Sequence, residues 1–162
     1  MKDVLQEIVE ELDKLGSMDE AIALAIDLEE KGRAYYLDKA SEMKNPGAVN
    51  IYNFLAGEEK KHLEYLIKYR DSREVPEMEH HVPEFKESLM EEFSDEEMQE
   101  IGILLGALRF EHKSEFFYME MAKRAEDENQ RKFFEDVAAA ERIHYSIIDD
   151  LLGAASGFRM QT

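Results

Sequence analysis

Two Glu-x-x-His units, Glu59–His62 and Glu141–His144, contain the residue types that bind transition metals. On a helix, residues three apart lie on one face, so each unit presents a carboxylate and an imidazole together. One such unit is weak evidence, because glutamate is abundant in this chain. A third copy, Glu77–His80, lies between prolines and has no matched partner, so we interpret it as part of the surface.

An internal repeat relates the first two units to each other. A shift of 82 positions brings like residues of the two halves together without a gap. The matched pairs include Glu29 with Glu111, Glu59 with Glu141, His62 with His144 and Tyr36 with Tyr118. Each half therefore supplies two glutamates and one histidine to a predicted ligand set. Four glutamates and two histidines are the inventory of carboxylate-bridged di-metal sites in helical bundles.

The candidate ligands lie on segments that are otherwise apolar at helical spacing. Glu29 lies among alanine, isoleucine and leucine side chains, and Glu141 follows Val137–Ala140. A carboxylate on such a face needs a partner to offset its desolvation. Oxygen and nitrogen ligands without sulfur suit iron or manganese better than copper(I), and the excess of carboxylates disfavours a structural zinc site. The alternative is a charged bundle whose glutamates are solvated or paired with lysine and arginine.

Caps and helical periodicity predict the elements that position these residues. The predicted elements are a short N-terminal helix closed at Gly16, a helix from the Ser17 cap to the break at Asn45–Gly47, a helix that fades near Arg70, a helix from the Ser94 cap to about Asp127, and a helix from about Gln130 to Leu152. Gly153 is interpreted as the C-cap of the last helix, with a short loose tail after it.

Loop lengths predict how these helices are connected. The short turns predict two antiparallel hairpins, which would pack about a pseudo-twofold axis. The connection at about 71–93 is more than twenty residues long. A helix of ~24 residues is ~36 Å long, and roughly eleven extended residues cover that distance. The connection can therefore cross the whole bundle and leave the two helices that it joins parallel. We predict an all-α four-helix bundle over about 18–152, within a single domain of residues 1–162.

The composition limits the partners of this chain. With 36% charged residues and only three prolines, it favours an all-helical protein. A net charge of −18 repels phosphates and anionic lipids, so neither nucleic acid nor a membrane is an expected partner. The lack of cysteine excludes disulfides and cysteine-bound metal sites. The N-terminus lacks the apolar stretch of a signal peptide, and the longest apolar run, Ile101–Leu108, is too short to span a bilayer; we expect a cytoplasmic protein.

These motifs resemble the rubrerythrin-type di-iron domain of the ferritin-like superfamily. The resemblance rests on Ala25–Glu29 with Tyr35 and Tyr36, on Leu55–His62, and on their counterparts from Ala107 and Val137. It covers roughly residues 18–152 and implies a ferritin-like bundle with two iron ions, manganese and zinc being the alternatives. It also implies that Glu59 and Glu141 bridge the metals. The terminal ligands would be Glu29, Glu111, His62 and His144.

The chain departs from the family pattern in two ways. Rubrerythrins proper carry a cysteine-ligated rubredoxin domain that delivers electrons, and this chain has no cysteine. They also carry an extra glutamate one turn after the ligand on the third bundle helix. Ser114 occupies that position here, and Glu115 follows it. Both departures count against efficient peroxide reduction by the rubrerythrin route.

Several other residues are candidates for supporting roles. Tyr36 and Tyr118 lie two helical turns after Glu29 and Glu111 and could donate hydrogen bonds to ligand carboxylates or pass electrons; packing in the core is the alternative. His112 is adjacent to Glu111, so it points about 100° away, towards a boundary or a dimer surface. His80 and His81 are interpreted as belonging to a solvated loop.

The favoured hypothesis is a di-iron oxidoreductase that reduces hydrogen peroxide or O2 with electrons from an external donor protein. One rival is ferritin-like oxidation and storage of ferrous iron. Another is a non-catalytic interaction protein whose metals only staple the bundle. The resemblance implies a homodimer, to which the Ile101–Leu108 stretch would contribute.

Overall fold

Five α-helices make up the part of the chain that the computed structural model describes, residues 4–78 and 100–160. They are α1 (Val4–Lys14), α2 (Met18–Glu42), α3 (Pro46–Ser72), α4 (Glu100–Lys123) and α5 (Glu128–Met160). The all-α architecture predicted from the sequence is confirmed for these residues. None of the helices in the described ranges is long and apolar enough to cross a membrane.

Side chains that cap the helix ends explain where α2 and α3 begin. The Ser17 hydroxyl accepts a hydrogen bond from the Glu20 backbone N–H (3.2 Å), and the Glu20 carboxylate accepts one from the Gly16 N–H (2.7 Å). Asn45 caps α3 by accepting from the N–H of Ala48 at 3.1 Å. Each bond satisfies an N–H that has no partner within the helix. These caps hold the α2–α3 hairpin in register.

Two predicted boundaries of the second hairpin were wrong. Gly153 does not end the last helix, which continues to Met160. A C-capping glycine needs a positive φ, and none of the described glycines has one. One glycine costs a formed helix only about 1 kcal/mol, so helix-favouring neighbours carry α5 past it. Asp127, predicted near the end of α4, instead caps α5 by accepting from the N–H of Gln130 at 2.8 Å. The Ser94 cap lies outside the described residues.

Side-chain contacts between the hairpins set the direction of their helices. Tyr36 near the end of α2 contacts Glu111 in α4, whereas Glu29 nearer the start of α2 contacts Tyr118 further along α4. The helices α2 and α4 are therefore antiparallel. Because α2 is also antiparallel to α3, the helices α3 and α4 run in the same direction, as the length of their connection predicted.

The apolar core consists of two clusters with a polar layer between them. One cluster surrounds Tyr36, Tyr52 and Ile148, and the other, which includes Leu12 of α1, surrounds Ile22 and Phe133. Along α2 and α5, the buried charged or titratable side chains lie only where the chain passes from one cluster to the other. Close-packed apolar layers on both sides hold the intervening polar side chains away from solvent.

Candidate metal centre

Side chains from all four bundle helices meet between the two apolar clusters. Helix α2 supplies one glutamate, α3 a glutamate and a histidine, α4 one glutamate, and α5 a glutamate and a histidine. None of the six is more than 2% exposed. They are Glu29, Glu59, His62, Glu111, Glu141 and His144, the six predicted ligands.

Two overlapping groups of four can be drawn among these six residues. In the first group, one ligand atom each from Glu29, Glu59, His62 and Glu141 lies within 4.8 Å of the others. In the second, the same holds for the ligand atoms of Glu59, Glu111, Glu141 and His144. Glu59 and Glu141 belong to both groups. The two groups therefore offer two metal positions that share two carboxylates.

The histidines contact glutamates of the opposite hairpin. His62 Nδ1 lies 3.0 Å from a Glu141 oxygen, and His144 Nδ1 lies 3.1 Å from a Glu59 oxygen. The two imidazole rings stack at 5.4 Å with an interplanar angle of 10°. Both Nδ1 atoms therefore face the carboxylates. These reciprocal contacts hold the hairpins together at the level of the site.

Four carboxylate oxygens at this site have no hydrogen-bond partner. They are the Oε2 atoms of Glu29, Glu59, Glu111 and Glu141, one from each glutamate of the set. A buried polar atom without a partner is costly, and several that converge are typical of a site that binds a cation. The donor set of carboxylate oxygens and imidazole nitrogens fits a pair of divalent iron or manganese ions.

The pKa values of the glutamates show the electrostatic cost of this arrangement. Burial raises the pKa values of Glu59 and Glu141 well above the usual range, and the neighbouring carboxylates raise them further. Burial also opposes ionisation of Glu29, but hydrogen bonds with Glu59, His62 and Tyr118 and the charge of His62 lower its pKa to about 2. The shared glutamates are therefore the sites that keep protons when no cation is bound. A metal ion would displace those protons.

Two tyrosines fix the outer carboxylates by hydrogen bonds that cross between α2 and α4. The Tyr36 hydroxyl donates to Glu111 Oε1 and the Tyr118 hydroxyl donates to Glu29 Oε1, each at 2.5 Å. Burial, followed by the charge of the accepting glutamate, raises both tyrosine pKa values well above normal, so both hydroxyls stay protonated. Of the two alternatives that the sequence left open, the structure shows direct hydrogen bonds to ligand carboxylates.

Glu58 is a buried carboxylate that the sequence reasoning missed. It is 5% exposed, and one of its oxygens lies within 4.8 Å of a ring nitrogen of His62 and of His144. It forms an ion pair with Lys61, whose Nζ atom lies 3.1 Å from Glu58 Oε1. The 82-residue shift pairs Glu58 with Ala140, so a search for repeated residues passes over it. Its position four residues before His62, on the same helix face, was the available signal.

The remaining candidate residues lie outside the ligand group. His112 is exposed, and its ring is 6.1 Å from that of Tyr145. Glu115 lies 3.8 Å from Arg142, on the outer side of the hairpin. His80 and His81 are outside the described residues.

Comparison with known proteins identifies one family. The family model described as Rubrerythrin matches residues 20–152, which include all six ligand candidates. No curated protein and no solved structure gave a significant match.

Proposed function

The chain belongs to the rubrerythrin family, and we propose that it is a di-iron protein that reduces hydrogen peroxide or O2 with electrons from an external donor. The observation that carries the proposal is the pair of buried four-residue groups that share Glu59 and Glu141. A structural site needs one closed ligand shell for each ion, whereas two ions that share ligands are typical of catalytic centres.

The six residues would divide into two kinds of ligand. Glu59 and Glu141 would bridge the ions, while Glu29 with His62 and Glu111 with His144 would complete the two ends. Two ferrous ions held in this way supply the two electrons that cleavage of an O–O bond requires. The ligand chemistry favours iron, with manganese next and zinc last.

The protein's own side chains would prepare the site in three ways. The two apolar clusters exclude water, which strengthens every electrostatic interaction inside. Tyr36 and Tyr118 hold the outer carboxylates in one orientation by donating to Oε1, and this leaves Oε2 of each free for a metal. The Nδ1 atoms of His62 and His144 face the bridging carboxylates, so the imidazoles need no rearrangement to bind metal.

The electrons would come from another protein. The chain has no cysteine, so it cannot carry a rubredoxin-type iron site of its own.

We also propose a homodimer. Leu105, exposed in α4 within the Ile101–Leu108 stretch, supports that surface. Light scattering after size exclusion tests it, with Leu105→Glu expected to give a monomer and the native chain a dimer.

Anaerobic titration with ferrous iron tests the metal claim. We expect saturation at two ions per chain and fewer for Glu59→Ala, because that variant removes a ligand common to both groups. Glu64→Ala is the matched control, since Glu64 lies on the same helix and is exposed. Saturation at zero in the native protein would reject the di-metal proposal.

Stopped-flow oxidation of the loaded protein tests the reaction. The reduced protein is mixed separately with hydrogen peroxide and with O2, and an artificial reductant is then added. Rapid oxidation followed by repeated turnover supports the proposed reductase. A growing ferric core would instead indicate ferritin-like storage, and inertness to both oxidants would leave a purely structural metal site.

A further inference from the structure

A cavity of about 410 Å³ lies between α1, α2 and α4. Its wall is mainly apolar, with Ile8 from α1, Leu24 and Leu28 from α2, and Phe110 and Phe117 from α4. The charged side chains that line it belong to exposed or half-buried residues such as Glu11 and Lys113. This volume and this composition are typical of sites that bind small organic molecules.

Three residues that line the cavity lie close in sequence to metal-ligand candidates. Leu28 and Phe110 directly precede Glu29 and Glu111, and Ser114 follows Glu111 by one turn on the same face. Ser114 is only 2% exposed. The cavity wall therefore includes a nearly buried hydroxyl group one helical turn from a metal-ligand candidate.

The ring of Phe110 lines the cavity and lies near one of the shared carboxylates. A Cβ added to Gly32 would lie 2.6 Å from the tip of this ring and 3.6 Å from Oε2 of Glu59, so the ring and that oxygen are no more than about 6 Å apart. Glu59 Oε2 is one of the oxygens without a partner. The same aromatic side chain thus lines the apolar cavity and lies near an unpaired ligand atom of the proposed di-iron site.

We propose that this cavity binds the organic group of an alkyl or aryl hydroperoxide, with the peroxide end at the side of the cavity formed by Phe110 and Ser114, nearest the proposed metal centre. The inference rests on the proposed peroxide reduction and names its substrate class. Hydrogen peroxide is about as small and polar as water and gains nothing from an apolar wall of this size. An organic hydroperoxide buries its hydrocarbon part in the cavity and leaves its polar end near Ser114.

The reaction balances with the components already named. Breaking the O–O bond of the hydroperoxide would take up two protons and two electrons, which a reduced metal pair held by the six candidate ligands would supply. The products are one alcohol and one water. The external donor then returns the two electrons.

Binding to the metal-free protein tests the cavity apart from the chemistry. The probe is 2-phenyl-2-propanol, the alcohol formed from cumene hydroperoxide, followed by saturation-transfer NMR and calorimetry. We expect binding to the native chain and at least about tenfold weaker binding to Ile8→Trp and Leu24→Trp, which fill the cavity from opposite sides. Gln6→Trp, on the exposed face of α1, is the matched control and should bind as the native chain does. Circular dichroism checks that each variant folds.

Rates with the iron-loaded, reduced protein complete the test. Ile8→Trp should slow oxidation by cumene hydroperoxide about tenfold and change oxidation by hydrogen peroxide less than about twofold. If the native protein reacts with hydrogen peroxide but the alcohol does not bind, or if filling the cavity slows both peroxides equally, the cavity inference fails and the proposed function stands. A protein that is inert to both peroxides but oxidised by O2 rejects the cavity inference alone, and inertness to both peroxides and to O2 rejects the two together.

Discussion

The two hairpins are nearly alike at the ligands and unlike immediately around them. Each supplies two glutamates, one histidine and a tyrosine that reaches across to the other hairpin. Within three residues of the ligand candidates the likeness ends, because the 82-residue shift pairs Glu58 with Ala140, Gly32 with Ser114, and Leu28 with Phe110. Glu58 lies near the two histidines, Leu28, Phe110 and Ser114 line the cavity under α1, and Gly32 packs against Phe110. The proposed metal site thus rests on residues that the two halves share, and the proposed organic-peroxide cavity rests on residues in which they differ.

The largest expected effect is a loss of iron binding, and it tests whether the two halves contribute equally to the site. Glu141→Ala should reduce ferrous iron binding as much as Glu59→Ala does, since each residue belongs to both ligand groups. Anaerobic titration of both variants measures this. A variant that keeps two tightly bound ions would show that its glutamate is not a shared ligand.

The pH dependence of the metal-free protein separates the shared glutamates from the outer ones. The pKa values of Glu59 and Glu141 are higher in the folded state than in the unfolded state, so their contribution to stability is present at low pH and is lost as the pH rises above about 4.5. The pKa of His144 is also raised, since the charge of Glu111 and hydrogen bonds with its glutamate neighbours outweigh burial. Its contribution is lost as the pH rises above about 6.5. Glu29, with its pKa lowered to about 2, has the opposite sign and loses its contribution only as the pH falls below about 4.5.

Urea unfolding between pH 5 and pH 8 measures the sum of these contributions. The free energy of unfolding of the metal-free protein should fall as the pH rises, and bound metal should remove that fall. Glu141→Gln should flatten the dependence, because it removes one of the raised groups. A metal-free protein that becomes more stable towards pH 8 would contradict this account.

A difference between the halves is tested at Glu58 and Ala140. Glu58→Ala should weaken metal binding about 10- to 100-fold, the usual effect of removing a carboxylate that orients ligand histidines. Ala140→Ser, at the matched and equally buried position, should leave the affinity unchanged. Competition with a chelator measures both affinities. Equal affinities for Glu58→Ala and the native chain would assign Glu58 to packing and to its pair with Lys61.

The smallest expected difference is between the two tyrosines. Tyr36→Phe and Tyr118→Phe each remove one hydrogen bond to a buried carboxylate, so each should destabilise the metal-free protein by roughly 1.5–3 kcal/mol. Because both bonds are 2.5 Å long and both residues are fully buried, the two values should agree within about 0.5 kcal/mol. Urea unfolding measures them, and a clear inequality would show that the halves also differ at their outer ligands.

The ligand set and the helical hairpins could be predicted from the sequence because both depend on regular spacing. Helical periodicity places Glu59 and His62 on one face, and the repeat carries the same face into the second hairpin, so convergence follows from the symmetry of two like units. Boundaries were less predictable. Gly153 has the residue type of a cap, but its backbone stays helical because a single glycine is a small cost within a long helix.

By itself, the sequence determined which residues could bind metal and that two like hairpins would supply them. Only the tertiary structure decided what surrounds them. The proximity of Glu58 to both histidines, the crossed tyrosine bonds, and the closeness of Phe110 to Gly32 and Glu59 all join residues from different helices. Such contacts depend on how each helix is rotated and how closely it packs against its neighbours. Side-chain packing across the whole core sets those quantities, and no spacing along one helix encodes them.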